Sequence, residues 1–294
     1  MSGASSFPAS DESSSYRRGR RIPYPGSCSA ARRLRSVSSM RSRLLSSTVI
    51  LLAVTAALTG CAVFDPGTRV SEDRPITDIN EVVLDTSGDL TMRVGSTPSL
   101  RITAGENVIG ELTSEISDGV LTLGMEKTPI GWNGEIRYSL TVTTLETLHV
   151  RGSGDAQVDF TGATAPSIDV QGSGDVEAAG VAADSASVVA DGSGSISVDD
   201  VQLSELTVRM TGSGGVEIDG TAAAQDVEVA GSGGFSAASL RSDRARVVVT
   251  GSGDADVDAR LSLDVVIDGS GDVSYAGDPS VTKKISGSGE LHRR

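Results

Sequence analysis

The aspartates of the C-terminal half recur at spacings that would place carboxylates side by side. The triplet Gly-Ser-Gly occurs eight times after residue 150, and the residue that follows it is acidic in five of the eight copies. Two carboxylates about 5 Å apart repel each other by roughly 1–3 kcal/mol, and calcium, which prefers oxygen ligands, would remove that cost. The aspartates that would form this ladder are Asp155, Asp175, Asp199, Asp219, Asp254 and Asp272.

The alternative for these carboxylates is a solvated acidic face that resists aggregation, and this is the interpretation that we favour. We therefore predict no metal site and no cofactor. Calcium binding along the ladder stays as a second hypothesis, in which the cation stabilises the folded chain.

The serines of the triplets do not predict a catalytic nucleophile. Gly-Ser-Gly differs from the Gly-x-Ser-x-Gly nucleophile elbow, and a serine nucleophile needs a base. His149 and His292 are the two histidines of the chain, and we expect both to be exposed surface residues. We predict no catalytic residues and no enzymatic activity. Because acidic rows on a repetitive β scaffold also suit polysaccharide lyases and hydrolases, a carbohydrate-active enzyme is the alternative.

The spacing of the triplets shows which elements must position these residues. Successive triplets begin 20, 20, 20, 19, 20, 18 and 18 residues apart, and a sustained period near 20 predicts a solenoid with one coil per repeat. The paired glycines are predicted to form the corner of each coil, where no side chain fits. They are Gly152, Gly154, Gly172, Gly174, Gly192, Gly194, Gly212, Gly214, Gly231, Gly233, Gly251, Gly253, Gly269, Gly271, Gly287 and Gly289.

Apolar residues alternate with polar residues on both sides of every triplet. In one repeat they are Val188 and Ala190 before the triplet, and Ile196 and Val198 after it. Alternation with a period of two predicts half-buried strands, and on this pattern the triplet glycines also face the interior. The predicted fold is an all-β parallel β-helix (β-solenoid) of about 20 residues per coil, right-handed by the crossover rule. Residues 82–92 fit the same register as a degenerate first coil.

The N-terminal segment resembles a bacterial lipoprotein signal. Two arginines and an apolar run precede the sequence Leu58-Thr59-Gly60-Cys61, which is typical of the lipobox that is cleaved before a lipid-modified cysteine. An ordinary signal peptide with a chance cysteine is the alternative. Met40 begins a signal of normal length, so we expect it to be the initiator, and residues 1–39 to be either untranslated or disordered.

These features divide the chain into five segments. We predict a disordered or untranslated segment over 1–39, a lipoprotein signal peptide over 40–60, and Cys61 as a lipidated residue that begins a flexible tether over 61–76. Irregular β coils follow over 77–147, and regular β-helix repeats over 148–294.

The distribution of charge restricts the partners of the exported part. Residues 1–43 carry nine arginines and two acidic residues, whereas the remainder of the chain carries 16 basic and 37 acidic residues, a net charge of −21. Such a charge argues against nucleic acid as a partner. We expect attachment to the membrane through the lipid alone, and a cell-surface or envelope protein or glycan as ligand. Lys283 and Lys284 lie in the last coil, where they either protect its edge or take part in self-association.

Taken together, the triplet repeats, the lipobox and the upstream stretch "INEVVLDTSGDLTMRV" resemble the head GIN domain family over residues 77–291. That family comprises exported bacterial domains that are often called auto-transporter adhesins. The resemblance implies a β-helical fold and a location in the cell envelope, and it implies no catalytic residues. It favours a lipid-anchored, adhesin-like binding or structural module at the outer face of the membrane. For Trp132, in a glycine-flanked loop, we favour plugging of the solenoid core, with a ligand contact as the alternative.

Overall fold

The computed structural model describes residues 65–127 and 134–294. The predicted all-β solenoid of parallel, stacked coils is confirmed: the seven intervals between the triplets correspond to about seven turns. One short 3₁₀ turn, Ile109–Glu111, is the only helical element among these residues. In the same two ranges, no helix is long and apolar enough to cross a membrane.

The strands fall into an irregular N-terminal group and a regular group. The first group is β1 (Arg69–Arg74), β2 (Glu81–Leu84), β3 (Asp89–Val94), β4 (Ser99–Gly105), β5 (Leu112–Ser117), β6 (Val120–Met125) and β7 (Arg137–Val142). The second group is β8 (Thr147–Val150), β9 (Ala156–Asp159), β10 (Ser167–Val170), β11 (Val176–Ala179), β12 (Ala182–Ala190), β13 (Ile196–Met210), β14 (Gly215–Val229), β15 (Gly234–Gly251), β16 (Asp254–Gly269), β17 (Val273–Ala276), β18 (Ser280–Gly287) and β19 (Leu291–Arg293).

Each triplet joins two strands that stack on the same strands of the neighbouring turns. We call the strands before the triplets column A and the strands after them column B. In column A, Val188 lies opposite Val208 of the next turn, and in column B, Val176 lies opposite Ile196. From β13 to β16 the strands continue through the return leg that leads from column B back to column A. Matching positions of successive turns are therefore spatial neighbours, as the period predicts.

The alternating apolar residues fill the interior of the coils. Val188, Val208 and Val227 are at most 3% exposed, and their counterparts in column B are buried as well. Each residue adds a modest apolar area, about 25 cal/mol per Å² removed from water. The stability of the rod therefore comes from many small contacts repeated along one continuous core.

The triplet glycines form a column in which backbone lies directly on backbone. A Cβ atom at Gly172 would collide with the carbonyl oxygen of Gly152, and one at Gly192 would collide with that of Gly172. The sequence pattern placed these glycines on the side that faces the interior. The structure shows a different reason for glycine, because the missing Cβ would point along the stack, into the preceding turn.

The N-terminal group closes one end of the solenoid in an order that differs from the chain order. β2 pairs with β8 and β3 with β9, so residues 82–92 form a coil, as the register predicts, and this coil lies beneath the first regular turn. On the other side of this coil lie β6, paired with β2, and β7, paired with β3. The outer coil at this end, made of β6 and β7, therefore comes later in the chain than the coil of β2 and β3 that it covers.

Three antiparallel strands cover that end. β5 pairs with β6, β4 pairs with β7, and β1 pairs with β4. The prediction of a flexible tether over 61–76 is wrong for residues 69–74, because these residues form β1. The apolar–polar alternation of "RVSEDR" is too short and too polar to identify an edge strand in the sequence, and its side chains are mostly exposed.

Candidate functional site

The aspartates that follow the triplets bind the backbone of the next turn. The carboxylate of Asp155 accepts a hydrogen bond from the backbone N–H of Asp175 at 2.8 Å, and Asp175 accepts one from Ser195 at 2.7 Å. Near the C-terminus, Asp254 accepts from the N–H of Asp272, and Asp272 from that of Glu290, both at 2.8 Å. Each carboxylate therefore joins two turns, and hydrogen bonds to charged acceptors are the stronger ones.

The second pair of predicted ladder residues behaves differently. Asp219 accepts a hydrogen bond from the N–H of Asp200 at 2.6 Å, whereas Asp199 accepts one from the hydroxyl of Ser197 at 3.4 Å. Asp200 has a φ of 55°, and the strand pairing shifts register beside it. These two aspartates thus contact separate donors at an irregular point of the sheet. Within residues 65–127 and 134–294, no cluster of three or more Asp, Glu, His or Cys side chains is arranged to hold a metal ion.

A polar groove runs beside the first part of the ladder on the outer surface of column B, where β7, β3, β9 and β11 lie next to one another. We call this groove, of about 370 Å³, the ladder groove; its polar lining includes Asp89, Arg137, Asp155, Gln157, Asp175 and Glu177. The amide of Gln157 donates a hydrogen bond to Glu177 at 2.8 Å. The groove therefore offers carboxylate and amide groups beside one guanidinium, as a site for a hydroxyl-rich or cationic ligand would.

Arg137 is a groove residue that the sequence does not reveal. It lies in the irregular group, outside the triplet period, and the reversed order of the strands brings it opposite Asp89. The guanidinium forms an ion pair with Glu135. The register of β3 with β7 would be needed to find this contact, and the repeats do not specify that register.

His149 is not the exposed surface residue that the sequence predicts. Its side chain is 23% exposed and lies between two carboxylates, with Nδ1 at 3.1 Å from Asp169 and Nε2 at 3.4 Å from Glu81. His292, whose side chain is 50% exposed, contacts Glu290. In the described part of the chain, both imidazoles thus have carboxylate partners, and neither has a serine hydroxyl as a hydrogen-bond partner.

The C-terminal residue lies back across the preceding turns. The guanidinium of Arg294 contacts Asp256 at 2.7 Å. Burial raises the pKa of Asp256, and the positive charge of Arg294 opposes this shift. This contact fixes the end of the chain against column B.

Two predicted site residues lie outside the described residues. These are Cys61, the predicted lipidation site, and Trp132, the candidate ligand contact.

The fold and the surface define the chain as a β-solenoid of the repeat type, with an apolar interior and outward rows of polar side chains. A family model described as "Putative auto-transporter adhesin, head GIN domain" matches residues 78–279. The chain belongs to this family, as the sequence resemblance indicated.

Solved structures of two proteins from Parabacteroides distasonis are similar to this chain. One, described as a "putative lipid binding protein", is 29% identical with a TM-score of 0.69, and the match covers 78% of this chain and 97% of that protein. The other, described as a "putative adhesin", is 23% identical with a TM-score of 0.73, and the match covers 78% and 98%. The comparison with curated proteins returns no match. At 23% identity, the similarity to the putative adhesin is one of fold alone.

Proposed function

We propose that this protein is a lipid-anchored binding or structural module of the adhesin type, exposed on the outer face of the cell membrane. The observation that carries the proposal is the rigid parallel stack, whose outward rows of polar side chains form a continuous surface along the rod. Membership of the head GIN domain family supports an exported, adhesin-like role. The lipobox Leu58–Cys61 supports the lipid anchor.

The proposed role is one without catalysis, and the contacts of the candidate groups support it. The carboxylates of the ladder accept hydrogen bonds from backbone N–H groups of the next turn, which makes them structural. The imidazole of His149 contacts Asp169 and Glu81, so it does not activate a side-chain nucleophile.

The anchor is tested by substitution of the predicted lipidation site and of the residue next to it. Cys61→Ala should move the protein from the membrane fraction to the soluble fraction, because the thiol that would carry the lipid is gone. Ala62→Ser, the matched control, changes the adjacent residue and keeps the thiol, so this variant should stay in the membrane fraction. Membrane retention of the Cys61→Ala protein would contradict the proposed anchor.

The binding role is tested against the carbohydrate-active alternative with one set of measurements. The purified full chain is incubated with envelope and host polysaccharides, and both saturable binding and the release of new reducing ends are followed. Binding without product supports the module. Product formation that is lost on substitution of a ladder-groove carboxylate, such as Glu177→Gln, would establish the enzyme instead.

A further inference from the structure

A second groove lies on the return legs, away from the ladder groove. It encloses about 470 Å³, and its lining comes from five successive turns between Leu203 and Gly277. Successive turns are about 4.8 Å apart, so the groove extends along the rod axis across several turns. We call it the arginine groove, after Arg241 and Arg260 in its lining.

The floor of the arginine groove is made of small residues, which hydrogen bonds beneath them hold in place. Ala222 and Ser242 lie opposite each other in neighbouring turns. The hydroxyl of Ser242 donates to the backbone oxygen of Asp258 at 2.7 Å, and the buried amide of Gln225 donates to Ser242 at 2.9 Å. Gln225 and Ser242 are only 2% and 4% exposed. These hydrogen bonds join the floor to the neighbouring turns, and a preorganised surface loses little entropy when it binds.

Charged side chains border this floor. Arg241 lies opposite Asp258 in the strand register. Within the described ranges it forms no ion pair. Arg260 is 72% exposed and contacts Asp243 at 2.6 Å. The groove therefore presents two guanidinium groups and two carboxylates around small residues, on a chain whose net charge after residue 43 is −21.

We infer that the arginine groove binds a carboxylated polysaccharide, one that contains uronic acid residues. Guanidinium groups pair with carboxylates through two parallel hydrogen bonds, which assigns Arg241 and Arg260 to the acid groups of the sugar. Asp243, Asp258 and the small floor residues suit sugar hydroxyls, because carboxylates accept their hydrogen bonds and small side chains allow close approach. A groove along the axis accommodates a linear polymer.

The two arginines act against the overall charge of the rod. The net charge of −21 after residue 43 repels any polyanion at long range. Charges more than about 8 Å away are largely screened at physiological ionic strength. Arg241 and Arg260 therefore act locally, on the carboxylates of the sugar residues that lie in the groove. The inference rests on the proposed binding role, but it is independent of the lipid anchor.

The test measures binding of polygalacturonate to the detergent-purified full chain by calorimetry, with neutral dextran and dextran sulfate as comparison polymers. We expect saturable binding of polygalacturonate that weakens with added NaCl, and no binding of dextran. Arg241→Ala and Arg260→Ala should each weaken binding about tenfold. Arg241→Lys should fall between Arg241→Ala and the unmodified chain, because it keeps the charge and loses the paired geometry.

Arg246→Ala is the matched control, since Arg246 lies in the same strand, is exposed and pairs with Asp226 outside the groove. It should change the affinity by less than about twofold. Thermal melting of each variant shows that the fold is retained. The inference is overturned by an absence of polygalacturonate binding, by equal losses in Arg241→Ala and Arg246→Ala, or by tighter binding of dextran sulfate through the same arginines. Membrane fractionation of Cys61→Ala reports on the anchor separately.

Discussion

At each end of the solenoid, the outermost coil has a neighbouring turn on one side only. The two ends protect this coil in different ways. At the N-terminal end, antiparallel strands cover the outermost coil, and large side chains such as Ile102 and Tyr138 are at most 1% exposed. Burial raises the pKa of Tyr138 to about 12. This end is closed by additional packed structure.

The C-terminal end is open. Every residue of β18 is exposed, including Val281 and Ile285 at 37% and 38%. Lys283 lies opposite the buried Val265, so a lysine occupies the position that is apolar in the other coils. Charges at inward positions of edge strands prevent further strands from adding. The comparison teaches that this fold ends either by covering its last coil or by making that coil unsuitable for stacking.

The largest difference in the free energy of unfolding is expected between substitution of a glycine inside the stack and substitution of one at the open end. Gly192→Ala should lower the free energy of unfolding by about 3–5 kcal/mol, because the new Cβ collides with the backbone of Gly172 and turns on both sides prevent relaxation. Gly289→Ala also creates a collision, with the backbone of Gly271. The last turn has a neighbouring turn on one side only, however, so it can relax more easily and we expect a loss of about 1 kcal/mol.

Urea denaturation of both glycine variants checks this contrast. Equal losses at the two positions would show that the last turn is held as firmly as an interior one.

The second contrast compares apolar side chains at the two ends. Ile102→Ala should cost about 2–4 kcal/mol of unfolding free energy, because it leaves a cavity in the closed end. Val281→Ala should cost less than about 0.5 kcal/mol, as expected for an exposed position. Thermal unfolding of the two variants measures the difference, and similar melting temperatures would contradict the closed packing of the N-terminal end.

The sequence predicted the regular coils well and the closed end poorly, for a physical reason. Stacked parallel turns put matching positions together, so the period alone places Val188 beside Val208. The register also predicts a coil over residues 82–92, but not its direct contact with the first regular turn. Antiparallel strands have no such period. The pairing of β1 with β4, the reversed order of β6 and β2, and the position of Arg137 depend on contacts distant in sequence, which no repeat encodes.

The same distinction applies to the candidate sites. The repeat brings Asp155 and Asp175 into neighbouring turns, but the alternation of residue types does not show that one carboxylate accepts the N–H of the other residue. The arginine groove depends on the return legs. There the pairing shifts register, and the period loses its predictive value.

A smaller effect is expected where the ladder holds the last turn. Asp272→Ala removes the acceptor for the N–H of Glu290 and should destabilise the last turn by about 1 kcal/mol. Asp272→Asn retains a side-chain oxygen and should have less effect. Hydrogen exchange of residues 280–294 measures the change, which should be confined to this region. Unchanged exchange in Asp272→Ala would show that the carboxylate does not hold the last turn.

Lys283→Val is expected to cause the smallest change in monomer stability. It is also the most direct test of why the C-terminal end stays open. The substitution completes the apolar row that Val265 and its counterparts form, so the exposed edge with Val281 and Ile285 becomes a surface on which a second copy can stack. Sedimentation velocity should show concentration-dependent association of this variant. Lys284→Val is the control, because Lys284 lies opposite the outward-facing Val266. If both variants stay monomeric, or associate equally, the inward charge is not what keeps the end open, and the exposed backbone edge itself must resist pairing.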